Sequence, residues 1–184
     1  MGLTLRLSAL AFCILLFAAG GVCAAETPEA LAPAASSADI TEVLAPYLRM
    51  QQALASDNVA LVQREFRDLG LHTQAVIARL AIDPSSAHPL AQLYQVILGS
   101  HRMDIGQLRK SFMGISHYLV LWIAEAPDAL TDIRVFTCPR FGGPDEARWV
   151  QTEAEIHNPY FGSKMLSCGT AVPLTNAKDR HEPH

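Results

Sequence analysis

Cys138 and Cys168 stand thirty positions apart in the most irregular stretch of the chain, with Pro139 beside the first and Met165 and Gly169 flanking the second. Two chemistries suit this arrangement. In one, the pair closes a disulfide, which by loop-closure entropy stabilises a loop of this length by about 3 to 4 kcal/mol. In the other, two thiolates and the Met165 thioether form a soft donor set, and such ligands select cuprous copper or its heavier relatives over hard cations. A Met and a Cys three residues apart share one small ion only if the backbone turns between them. Other chemistry finds no residues to carry it. There is no Cys-x-x-Cys for a thioredoxin-like redox centre and no Cys-x-x-Cys-His for haem attachment. Nor is there a Ser-His-Asp order, a paired-carboxylate motif, a phosphate loop or a zincin motif, so a non-enzymatic role is expected.

The start of the chain sets the compartment in which these sulfurs work. Met1 to Arg6 carries one base and no acid, Leu7 to about Gly20 is apolar, and small residues follow to Ala25. These are the three parts of a secretory signal, with cleavage expected after Ala24 or Ala25. The apolar core is short for a membrane span, which needs about 20 apolar residues. Gly20-Gly21-Val22 before Cys23 lacks the Leu and the small residue of a lipobox, which argues against lipidation. The mature chain is therefore expected in an oxidising compartment beyond a membrane, not integral to that membrane, with Cys138 and Cys168 as its remaining cysteines. Export to an oxidising space favours the disulfide. Loss of Arg6 leaves 13 Lys plus Arg against 18 Asp plus Glu, a formal charge of −5. Without basic clusters such a chain has no electrostatic footprint for nucleic acid or anionic lipid.

The elements that position the sulfurs follow from hydrophobic period and punctuation. Residues 26–38 are rich in Ala, Pro, Ser and Glu and read as a flexible linker. Folding is expected from Asp39, which with Glu42 has the spacing of a capping box, and Ile40, Val43, Leu44, Tyr47, Leu48 and Leu54 share one helical face. Pro46 predicts a kink or a later start. A second helix is predicted from Asn58 to Leu80 on Val59, Val62, Phe66, Leu69, Val76 and Leu80, weakened by Gly70. Pro89 suits the first turn of a third helix, ending near Gly99, and Asp104 with Gln107 caps a fourth that runs toward Pro127. After Pro127 the pattern changes. Ile133 to Phe136 alternates like a short strand leading into Cys138, and Met165 to Cys168 reads as a second strand. The predicted fold is mainly α: an antiparallel up-and-down bundle of about four helices, then a small loop-rich cap with short β-strands over residues 127–173. These form one domain, 39–173, followed by a mobile tail, 174–184.

The stretch WVQTEAEIHNPYFGSKMLSCG, with Cys138-Pro139 before it, resembles the signature of a poorly characterised bacterial periplasmic domain. That family occurs alone or attached to adaptor subunits of heavy-metal efflux pumps, copper and silver pumps among them. Its pattern is Cys-Pro-Met, Trp-x-Gln, Asn-Pro-Tyr-aromatic-Gly and Met-x-x-Cys-Gly. Trp149, Gln151, Asn158, Pro159, Tyr160, Phe161, Gly162, Met165, Cys168 and Gly169 match in order. The helical part is similar at Tyr47-Leu48, Ala53-Leu54, Asp57, Leu108-Arg109, Phe112 and Ser116, so the resemblance covers about residues 40 to 172.

The resemblance implies heavy-metal handling, with Cys138, Met165 and Cys168 as ligands for copper or silver and a pump adaptor or other envelope protein as partner. One departure is Arg140, where the family has Met: a thioether is lost, and a fixed positive charge opposes cation binding unless Asp145 or Glu146 neutralises it. His157 would supply an imidazole in its place, against the ordinary reading of a solvated loop histidine. His181 and His184 in the tail are accessory at most. His72, His101 and His117 lack a paired spacing, and Met50, Met103 and Met113 read as core fillers. Trp149, Asn158, Tyr160 and Phe161 would either pack the cap onto the helices or meet a partner, and packing is the simpler reading.

Overall fold

The first helix, α1 (Ser37–Ala55), starts two residues before the expected Asp39. A computed structural model describes residues 35–100, 103–142 and 147–174, all within one compact unit. The segment expected to be a signal, most of the expected linker, His101, Asp145, Glu146 and residues 175–184 with His181 and His184 lie outside the described residues.

The capping box of α1 is formed by Ser36 and Asp39 rather than by Asp39 and Glu42. The Ser36 hydroxyl accepts the Asp39 N–H at 3.2 Å and the Asp39 carboxylate accepts the Ser36 N–H at 2.9 Å. Glu42 instead takes the Arg79 guanidinium at 2.6 Å. The helix runs unbroken through Pro46. An interior proline costs a helix about 3 kcal/mol or more; here Pro46 is itself buried beside Ile40, Val43, Leu44 and Tyr47, whose packing holds the segment helical. Asp57 ends the helix at φ +57°, with Asn58 N–H donating to the Ala53 carbonyl at 2.8 Å and Asp57 N–H to Leu54 at 3.2 Å. This is a Schellman motif with Asp in the left-handed position usually held by Gly.

Helix α2 (Val59–Arg79) follows at once, capped by the Asn58 side chain, which accepts the Leu61 N–H at 3.1 Å. It packs chiefly on α1. Gly70, read as a weak point, sits at a close approach: a Cβ there would lie 3.2 Å from the Ile97 side chain of α3 (Pro89–Leu98). Helix α4 (Ile105–Ile123) begins with the expected Asp104–Gln107 capping box and packs mainly against α3. It stops four residues short of Pro127, which opens a short 3-10 turn.

The C-terminal part holds more regular structure than expected. Strands β1 (Arg134–Thr137), β2 (Arg148–Gln151) and β3 (Thr170–Val172) form an antiparallel sheet in the order β2-β1-β3. Strand β2 packs on α4, so the sheet is seated on the helical layer. All four β2 residues are buried. The predicted strand at Met165 to Cys168 is not one. Its Cys168 N–H folds back to the Met165 carbonyl at 3.0 Å, and the Leu166 carbonyl is taken by Asn158 N–H at 2.7 Å. With these groups bonded locally, no ladder forms until Thr170. The fold is thus mainly α with a small antiparallel sheet. Among the described residues no helix is long and apolar enough to cross a membrane.

Candidate functional site

The antiparallel pairing of β1 with β3 sets Thr137 opposite Thr170. Cys138 directly follows β1 and Cys168 lies two residues before β3, so this register draws together sulfurs that are thirty residues apart in sequence. Both are free thiols, Cys138 wholly buried and Cys168 half-buried. Burial pushes the Cys168 thiol up, and the neighbouring Cys138 thiol pushes the same way, while the Arg140 charge pulls it down. The Cys138 N–H donates to Ala147 at 2.9 Å, and its carbonyl accepts the Phe141 N–H at 3.3 Å. That bond closes a turn with Pro139 and Arg140 at its corner.

Met165 and Cys168 lie at the two ends of one hydrogen-bonded turn. His157 does not join them. It lines a separate cleft of about 490 Å³ with Gln52, Ala55, Ser56, Glu153, Ser163 and Leu166. Among the described residues no three His, Cys, Asp or Glu side chains converge, so the sulfurs have no imidazole or carboxylate completing a larger donor set. Among the described residues His157 does not form a three-donor group with Cys138 and Cys168. Its main chain is held elsewhere, N–H to Gln151 Oε1 at 3.2 Å and carbonyl to Gln51 Nε2 at 2.5 Å.

The motif residues around the thiols make internal contacts. Asn158 is fully buried; its Oδ1 accepts the N–H groups of Tyr160 at 2.7 Å and Phe161 at 3.2 Å, and its Nδ2 donates to the Cys168 carbonyl at 2.6 Å. One side chain thus ties the Asn-Pro-Tyr-Phe-Gly loop to the thiol turn. The Tyr160 hydroxyl donates to the Arg148 carbonyl of β2. Trp149 Nε1 donates to Gln151 Oε1 at 2.8 Å. Rings continue this link into the helices: Tyr47 stacks on Phe112 at 5.0 Å, Phe112 meets Tyr160 at 5.9 Å, Tyr160 meets Trp149 at 5.9 Å, and Trp149 stacks on Phe136 at 5.5 Å. Trp149 and Tyr160 are buried and Phe161 half-buried, which places these groups in packing. A Cβ on Gly169 would lie 2.6 Å from the Trp149 ring, so only glycine lets that ring pack beside Cys168.

A polar clamp completes the support. Arg109 of α4 donates to the Pro159 carbonyl at 2.9 Å, to Leu54 at 3.1 Å and to Asp57 at 2.5 Å. Asp57 also accepts the Ser163 N–H at 3.0 Å and its hydroxyl at 2.6 Å. Ser163 and then Arg109 hold the Asp57 carboxyl down to about 2. Gly162, at φ +57°, passes directly over this pair, and a side chain there would land on both partners. Tyr47 spans the helices, its hydroxyl 2.7 Å from Ser116 Oγ and accepting the Val150 N–H at 3.1 Å. Burial keeps the Tyr47 and Tyr160 phenols protonated by pushing both up. Gln51 is a residue sequence reasoning missed; it lies on the α1 face beside Met50 and carried no motif signal.

No family model matches this chain, and neither the curated proteins nor the solved structures hold a significant match to it.

Proposed function

We propose that this is an exported, non-enzymatic periplasmic protein that binds a soft metal ion, copper or silver, in an efflux or resistance setting. The observation that carries the reading is the convergence of Cys138 and Cys168, brought together by the β1–β3 register although thirty residues apart, with Met165 one turn away from Cys168. These residues fit such an ion, because all three donors are sulfur and no carboxylate joins them among the described residues. The ion would be cargo held by Cys138, Cys168 and Met165. The tyrosines, Asn158 and the Asp57–Arg109 clamp would hold the sulfurs in place as a layer behind the ligands. We read the four helices as an antiparallel up-and-down bundle that serves as platform, and the sheet with its loops as a cap carrying the site. The resemblance to domains attached to pump adaptors suggests an adaptor or another envelope protein as the recipient of the ion.

The same convergence favours a second reading, in which oxidation joins the two thiols and the chain is a disulfide-stapled interaction module. Anaerobic titration of the reduced protein with cuprous ion against a competing chelator tests the first. Tight one-to-one uptake lost in the Cys138→Ser, Cys168→Ser double variant supports it, and equal affinities refute it. Intact mass under non-reducing conditions tests the second, since a permanent disulfide lowers the mass by about 2 Da and removes both thiolates from coordination.

A further inference from the structure

We propose that Arg140 makes the thiol pair selective for monovalent over divalent soft ions. This rests on the metal-binding reading and goes beyond it, because it fixes the charge of the preferred ion and gives Arg140 a role in that preference.

The sequence sets Arg140 against cation binding, but the donor set reverses that sign. When the pair takes up an ion, both S–H protons leave to solvent, each sulfur donates a lone pair to the metal, and no electron changes hands. Two thiolates around a monovalent ion carry a net charge of −1, whereas around a divalent ion they are neutral. Met165 adds no charge. No third His, Cys, Asp or Glu joins the pair among the described residues. A monovalent d10 ion is satisfied by two or three sulfurs, while zinc and its congeners take four ligands in closed sites.

Arg140 is placed to feel the difference. It occupies the corner of the Cys138–Phe141 turn, two residues from the buried thiol, and is itself exposed. A guanidinium stays charged at any relevant pH, so it attracts the −1 complex and is nearly indifferent to the neutral one. For unit charges roughly 8 Å apart, screened between the dielectric of a protein surface and that of water because Arg140 is exposed, the difference is about tenfold in affinity, equivalent to about 1.4 kcal/mol. The thioether that the resembling family carries at this position would supply a donor but no such discrimination.

The test is anaerobic competition titration of the reduced protein and its Arg140→Lys, Arg140→Gln and Arg140→Glu variants with silver ion and with cadmium ion. Silver affinity should hold in R140K, fall about tenfold in R140Q and about a hundredfold in R140E, with cadmium affinity unchanged or higher in all three. Arg140 is exposed, so these variants leave the core intact. Silver affinity independent of residue 140, or equal losses for both ions, overturns the selectivity while leaving the metal site standing. Absence of cysteine-dependent silver uptake by the unmodified protein overturns both.

Discussion

Replacing Asn158 by Ala removes the side chain that ties the Asn-Pro-Tyr-Phe-Gly loop to the thiol turn. Three hydrogen bonds go with it: the Tyr160 N–H at 2.7 Å, the Phe161 N–H at 3.2 Å and the bond to the Cys168 carbonyl at 2.6 Å. A buried group left without a partner costs about 1 to 3 kcal/mol. The Tyr160 amide lies in the buried core and bears this in full, while Phe161 and Cys168 are half-buried and recover part of it from water. The sum is about 3 to 4 kcal/mol, a large share of the 5 to 15 kcal/mol that holds a typical domain together. Urea unfolding followed by tryptophan fluorescence reads this well, because Trp149 and Trp122 are almost wholly buried. With a slope near 2 kcal/mol/M, the midpoint should fall by about 1.5 to 2 M at unchanged slope. The isosteric Asn158→Asp variant keeps the acceptor and turns an oxygen toward the Cys168 carbonyl. Burial raises the folded pKa of that new carboxyl above its unfolded value, so its deficit is small below about pH 4 and grows as pH rises toward the folded pKa. A loss below about 1 kcal/mol in Asn158→Ala would refute the tying role.

The Asp57 carboxyl, held down to about 2 from an ordinary 3.8, stabilises the fold above that ordinary value and loses the contribution as pH falls through about 2. Its side chain is 36% exposed, so solvent screening leaves about 1 kcal/mol, and Asp57→Asn should flatten stability between pH 4 and pH 2 by that amount in acid titrations. Gly162→Ala puts a Cβ at φ +57° onto the Asp57–Arg109 pair and should cost about 2 to 3 kcal/mol, read as a melting point lower by about 5 to 10 °C. Tyr47→Phe leaves the Val150 N–H on the outer edge of β2 without its acceptor; a loss of about 1 to 3 kcal/mol and faster hydrogen exchange at Val150 are expected.

Helices α2, α3 and α4 are legible in the sequence because their caps and apolar period agree: Asn58, Pro89 and the Asp104–Gln107 pair stand where the structure uses them. The start of α1 is misread because Ser36–Asp39 and Asp39–Glu42 share the same spacing; in the fold Asp39 caps with Ser36, and Arg79 of α2 pairs with both Asp39 and Glu42. Strand β2 escapes a search for alternation because both of its faces are buried. Met165 to Cys168 looks like a strand only until Asn158, ten residues before Cys168, takes its carbonyl groups. The meeting of the two thiols depends on the β1–β3 register, which no local pattern around either cysteine contains. The Asp57–Arg109–Ser163 clamp is likewise nonlocal, linking the end of α1, the first turns of α4 and the loop after Tyr160.

The claim that sulfur from Cys138, Cys168 and Met165 holds the ion is tested most directly by X-ray absorption at the copper edge of the anaerobic one-to-one cuprous complex. A shell of two or three sulfur scatterers is predicted, losing one in Met165→Leu if the count is three and collapsing in the double Cys→Ser variant. A shell of nitrogen or oxygen scatterers, or a sulfur shell that survives loss of both cysteines, would contradict the account.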